Sequence, residues 1–447
     1  LDAEETDSAT MNQSFHLVLN GNCTDSKVEP TAPVLDDGLV PIVFDTSNGT
    51  VIKTISNTDA SWYDYSRQEW ANAVLVKTSG TQTRAYYKAN PGVVVNESDI
   101  LAYYVWIPRY SYMIWETGTS AKGKEQTIDI QFEGTDTIST GTTVGSYITH
   151  PAFWWDSDCD GVRDPGEELS GIWVGKFETT GTASNPTILP NVASLRNQNV
   201  STQFATAQLL GGTTYGISSS SDSHMMKNSE WGAAAYLSHS KYGVNREVYI
   251  NNSYSGYTGR SGGNVGGSTP INETYTDQTS TTNENIYGYY TWDGYLLNYS
   301  TNTKSSTRDL SKLASTTGNI TGIYDMSGGV HEYVMGYYSG ASTTWGATSS
   351  GDYAGFSSAP DSKYYDNYTT TSALTACNSG VCYGYGLSET NRWYGDNTGF
   401  VSATHPWLIR GGGYSNGSYS GVFSVANNIG FGNSAYGFRS SLVVDGA

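Results

Sequence analysis

The chain has 447 residues, of which 37% are hydrophobic and only 15% charged, and it carries a net charge of −19. That charge excludes a sequence-independent nucleic-acid binder, which phosphate would repel, and no stretch approaches the roughly 20 apolar residues that span a bilayer. The 51 glycines follow no three-residue period, so a collagen-like chain is excluded, and 35 Tyr with 12 Trp offer too much burial for charge-driven disorder.

The length exceeds one ordinary hydrophobic core, so two or more domains are expected. Ser, Thr, Asn, Gly and Tyr fill the place of the missing charges. Thr, Tyr, Val and Trp favour strands, while Gly and Asn favour tight turns. The composition therefore predicts a soluble, acidic, β-rich protein of the extracellular space or cell surface. The chain opens at Leu1 without a signal peptide, and an export or anchor segment, such as an envelope or pilus-like anchor, is expected upstream.

Residues 1–31 are acidic and aperiodic and read as a leader or stalk. Residues 32–116 read as a small β-rich domain with strands at Leu39-Val40-Pro41-Ile42-Val43-Phe44 and Ala102-Tyr103-Tyr104-Val105-Trp106-Ile107-Pro108. Trp62 and Trp70 between them read as core packing. Residues 117–149 form a Thr/Gly-rich connection to a larger unit over 150–447.

That unit begins with Asp156-Ser157-Asp158-Cys159-Asp160-Gly161-Val162-Arg163-Asp164-Pro165-Gly166-Glu167. Acidic residues hold positions 1, 3, 5, 9 and 12 of this window and Gly holds position 6, the ligand spacing of an EF-hand-type calcium loop. Asp156, Asp158, Asp160 and Asp164 would supply carboxylates, Val162 its carbonyl, and Glu167 two oxygens. A solvated acidic turn that binds nothing is the alternative. No amphipathic helices flank the loop, so a bound calcium would be structural.

Gly171 to Glu178 reads as a strand. Gln203 to Leu210 reads as a helix capped by Ser201 or Thr202, and Glu230 to Leu237 as a second helix. Residues 252–308 and 339–390 are polar insertions without apolar periodicity. Within the second, Cys377 and Cys382 bracket a four-residue loop that can close as a disulfide in an oxidising compartment, with two free thiols as the alternative. Cys23 and Cys159 offer a further pairing. Strands near Trp407 to Arg410 and Gly437 to Val444 close an α+β outline.

Five motifs resemble, in order, those of the formylglycine-generating-enzyme family: Lys176-Phe177-Glu178-Thr179-Thr180; Asn199-Val200-Ser201 with the following helix; Asn228 to Ala235; Tyr324-Asp325-Met326-Ser327-Gly328-Gly329-Val330-His331-Glu332-Tyr333-Val334; and Arg410-Gly411-Gly412 with Gly437-Phe438-Arg439. The resemblance covers roughly 151–444 and implies a C-type lectin fold, α+β in class. The family's active-site cysteine pair and the histidine triad of its sulfoxide synthases have no match, nor do the calcium–sugar motifs of C-type lectins. His331 stands where the signature has an aromatic, and packing explains it as well as a ligand role would.

Between Arg410 and Arg439, residues 411–438 contain only Gly, Ser, Asn, Ala, Tyr, Phe, Val and Ile. All are reachable from an Asn codon by changing its adenines. This resembles the variable region of proteins diversified by a diversity-generating retroelement, which the resemblance places on a lectin-type scaffold. The ligand-facing set it implies is Gly413, Ser415, Asn416, Tyr419, Ser424, Ala426, Asn427, Asn428, Phe431, Asn433, Ser434 and Tyr436. Val422 and Phe423 are expected in the core. A polar loop of biased composition is the alternative.

The expected function is therefore a non-catalytic, surface-displayed binder of a protein or glycan. The alternatives are a pilin-like or phage-tail structural subunit, and a metal-dependent oxidase or sulfoxide synthase of the same family.

Overall fold

The computed structural model describes residues 28–115, 122–141, 145–253, 256–262, 288–298, 303–340, 345, 347–348, 351–372 and 383–444. The leader expected over 1–31 lies almost wholly outside them, as do Cys23, Cys377 and Cys382, so both expected disulfides fall there too.

The described residues form a mixed α+β architecture of several β-sheets and three short α-helices. The largest sheet is antiparallel and seven-stranded, in the order Ser221–Met225, Ser440–Val444, Gly171–Gly175, Ile100–Pro108, Asn72–Val76, Leu39–Asp45, Val51–Thr54. This corrects the expected boundary near residue 116. Strand Ile100–Pro108 pairs with Gly171–Gly175, in register from Tyr104↔Gly175 to Pro108↔Gly171. One sheet and one core thus contain both the N-terminal strands and the strand Ser440–Val444 near the chain's end. Strand Ile100–Pro108 is buried along nearly its whole length, as befits a central strand, and its two edges pair with Asn72–Val76 and Gly171–Gly175. Trp62 and Trp70 are core residues, as expected.

A second sheet runs Asp366–Tyr368, His331–Tyr338, Trp407–Arg410, Val425–Asn428, with Tyr436–Phe438 pairing parallel to His331–Tyr338. The expected 437–444 strand is therefore two strands, broken at Arg439, which belong to different sheets. The polar insertions are also not wholly loop. Gly288–Tyr290, Tyr295–Asn298 and Lys304–Arg308 of the first insertion form a three-stranded sheet, and Asp366–Tyr368 of the second pairs parallel with Gly336 to Tyr338. Polar sequences hide such strands because their pairing, not their side chains, supplies the ordering.

Helix α1 (Arg84–Ala89) is not among the expected elements; Thr83 caps it by accepting the amide of Tyr86. Helix α2 (Val200–Leu209) starts earlier than expected, because Asn199, not Ser201 or Thr202, is its cap and accepts the Thr202 amide at 3.1 Å. Helix α3 (Asn228–Ser238) is buried all round. Its small residues make this fit possible: a Cβ added at Gly232 would sit 1.9 Å from the Gly384 carbonyl.

Candidate functional site

Two buried arginines hold the uncharged segment at its ends. Arg439 grips Glu332 through both of its arms, Nη2 to Oε1 at 2.7 Å and Nε to Oε2 at 3.1 Å. It also donates to the carbonyls of Gly175 and Tyr324, each at 2.8 Å. Burial pushes the Glu332 carboxyl up to about 7; Arg439 opposes that rise and the nearby Asp325 adds to it. Arg410 donates to the Gly386 carbonyl at 3.0 Å and lies over the Trp231 ring. Gly411 and Gly412 then take φ of 79° and 71°. A Cβ at Gly412 would strike Ser420 at 2.5 Å, so the sharp exit from the strand needs glycine there.

Short hydrogen-bonded turns order residues 413–424. Asn416 Oδ1 accepts the Gly413 amide at 2.8 Å, Ser420 Oγ donates to the Gly413 carbonyl at 2.8 Å, and Ser424 Oγ to the Tyr419 carbonyl at 2.8 Å. Val422 and Phe423 turn into the core, as expected, and the Val422 carbonyl accepts the Trp231 indole N–H at 2.7 Å. Strand Val425–Asn428 then returns antiparallel to Trp407–Arg410, pairing Ala426 with Ile409 and Asn427 with Leu408.

A groove of about 280 Å³ opens beside this strand, lined by His331, Asn397, Ile409, Gly412, Asn416, Tyr419, Ser424 and Ala426. No lining residue carries a formal charge at neutral pH, since burial holds the His331 imidazole down at about 4. Tyr419 stands at the rim, 62% exposed. From His331 an aromatic strip continues through Tyr436 to Phe431, with successive ring centroids 5.6 Å apart.

Of the twelve sequence-derived positions, Asn416, Tyr419, Ser424 and Ala426 line the groove, Ser424 from a buried position. Gly413 is buried against it, and a Cβ there would approach His331 Nε2 at 3.1 Å. Ser415 and Ser434 are exposed or partly so, and Phe431, Asn433 and Tyr436 lie along the strip without being buried. Two positions are corrected. Strand alternation turns Asn427 from the groove, and its amide donates to the Phe400 carbonyl. Asn428 is buried, and its Oδ1 accepts the Ile429 amide at 2.7 Å. Sequence reasoning missed Asn397, Ile409 and Gly412 as lining residues and left His331 undecided. Alternation along Trp407–Arg410 was the available signal for Ile409.

The acidic loop lies elsewhere. Its base is closed where Trp154 pairs with Glu168, and Glu168 is pinned by buried Arg109 at 2.6 Å. Carboxylate oxygens of Asp156, Asp158 and Glu167 lie within 4.8 Å of one another, as do those of Asp158, Asp160 and Asp164. Glu167 Oε1 accepts the Ser157 amide at 2.7 Å and the Ser157 hydroxyl at 3.1 Å. Its Oε2 accepts the Trp154 indole at 2.9 Å and the Asp164 amide at 3.2 Å. The expected two-oxygen bite of Glu167 on a cation would displace some of these donors. Val162 projects its side chain to solvent, consistent with a role for its backbone alone.

No protein-family model and no curated protein matches the chain. Among solved structures the chain bears a distant resemblance to Treponema denticola variable protein 1, at 14% identity and a TM-score of 0.25, over 68% of this chain and 99% of that one.

Proposed function

We propose that this chain is a non-catalytic, surface-displayed binding protein that presents a diversified contact surface on a C-type-lectin-like scaffold. The observation that carries the reading is the uncharged groove between the buried anchors Arg410 and Arg439, with Tyr419 exposed at its rim. Tyr offers rigid contact area, while Ser and Asn adapt their hydrogen bonding, the division of labour seen in antibody paratopes. A charged ligand would lose water in this groove and gain no counter-ion, so the partner surface is neutral: a glycan or an uncharged protein patch. The five ordered motifs support the scaffold assignment. The polar, acidic composition supports an extracellular or cell-surface setting. No residue is assigned a catalytic role.

The test is binding of the purified chain to glycan and cell-surface protein arrays. Ala426→Trp fills the groove and Tyr419→Ala strips its rim. Both should abolish a hit that Val94→Ser, at a distant exposed site, retains. Hits that survive both groove variants would refute the reading.

A further inference from the structure

We propose that the 156–167 loop binds one calcium ion, and that the ion clasps the loop to the turn leading into the edge strand of the groove sheet. This stands apart from the ligand-binding reading and survives its failure.

The first support is an orphaned acceptor. Asp156 is 8% exposed, and its Oδ1 is buried without a hydrogen-bond partner. A buried carboxylate oxygen left unmatched is costly, and a cation is the partner that four neighbouring acids call for. Its other oxygen is engaged by the Gly161 amide at 3.2 Å, so the orphan is not an unformed side chain. Asp158 shares close carboxylate neighbours with both Asp156 and Asp164. One ion between Asp156, Asp158 and Glu167, whose carboxylate oxygens lie within 4.8 Å of one another, meets Asp156 and Glu167 from the buried side and Asp158 from the exposed side. The donors are all oxygens, several with freedom to adjust, which suits calcium; magnesium demands a stricter octahedron and keeps its waters.

The second support is what the loop touches. Ser362 Oγ donates to the Cys159 carbonyl at 3.3 Å and lies 3.5 Å from Asp156 Oδ2. Lys363 pairs with Asp222 at 3.3 Å, and Tyr364 donates to the same carboxylate at 2.9 Å. Trp155, next to the orphaned aspartate, packs against Tyr364 and His224. This turn runs directly into Asp366–Tyr368, the outer strand of the groove sheet. An ion on Asp156 therefore fixes the carboxylate that faces Ser362.

The probe is terbium on the full chain. The Trp154 indole, bonded to Glu167, sits where it can sensitise terbium emission under tryptophan excitation. Emission should appear and be displaced by calcium, with half-saturation on the order of 10⁻⁴ to 10⁻³ M, the range of extracellular modules. Asp158→Asn with Asp160→Asn changes two exposed residues. This variant should weaken calcium binding at least about tenfold, with an unchanged melting temperature in chelator. Chelation should speed proteolysis at 361–366 in the parent chain and leave the double variant unaffected. A parent chain whose melting temperature does not respond to millimolar calcium, or equal calcium affinity in the double variant, overturns the site. Cleavage at 361–366 that ignores chelation overturns the clasp.

Discussion

Arg439→Met removes the guanidinium that anchors the end of the 411–438 segment and keeps a side chain of similar reach. Glu332 then loses both arms of its fork, and the carbonyls of Gly175 and Tyr324 lose their donors, all at positions closed to water. Leaving one member of a buried pair costs about 3–5 kcal/mol, and each orphaned carbonyl about 1–3 kcal/mol. These terms overlap, because Glu332, already raised to about 7, takes up a proton once Arg439 is gone. A net loss of about 4–6 kcal/mol is expected, a large share of the ~5–15 kcal/mol that holds a typical domain. Urea unfolding followed by tryptophan fluorescence measures it. The pH dependence has a definite sign. A carboxyl whose folded pKa is raised gives stability that is present at low pH and lost as pH rises through the folded value. Glu178 and Asp325 beside the pair are also raised, chiefly by burial. The deficit of Arg439→Met should therefore widen from pH 5 to pH 8. A cost below about 1 kcal/mol, or a deficit flat across that range, would refute the anchoring role.

Gly232→Ala would gain about 1 kcal/mol in a free helix, but its Cβ meets the Gly384 carbonyl at 1.9 Å. A lowered melting temperature is expected, and a raised one would show that the α3 contact yields. Tyr419→Ala should change unfolding stability by less than about 0.5 kcal/mol, because the ring is mostly in solvent; a larger loss would make Tyr419 a packing residue. Burial presses His224 toward its neutral form, yet Glu230, at 2.8 Å, and Asp222 outweigh it and hold the imidazole up to about 9. A His pKa raised on folding gives stability that is full below about 6.5 and lost as pH rises through about 9. His224→Gln should thus cost more at pH 6 than at pH 9.5 in urea titrations, and equal costs would contradict the charged state.

Much was legible locally. The apolar runs at 39–44 and 102–108 became core strands, the alanine-bearing segments became α2 and α3, and Val422 and Phe423 went inside. Each of these follows from residue type and period over a few neighbours, which a sequence displays directly. The acidic spacing from Asp156 to Glu167 likewise brought its carboxylates together, because a twelve-residue turn has few ways to fold.

What the sequence could not order was pairing at a distance. Whether 32–116 formed its own domain depended on which strand took the open edge of Ile100–Pro108, and that partner, Gly171–Gly175, lies beyond the whole connection. The same holds for the groove. Alternation says that Ala426 and Asn427 face opposite sides, but only packing against Ile409 and Phe400 decides which side is outward. His331 and Asn397 join Tyr419 only because strands 331–338 and 407–410 pair and the 397 turn bonds to Val425. Composition by itself determined that 411–438 would carry no charge between two arginines. Tertiary structure decided that those arginines are buried anchors, and that four of the twelve chosen side chains line a common groove.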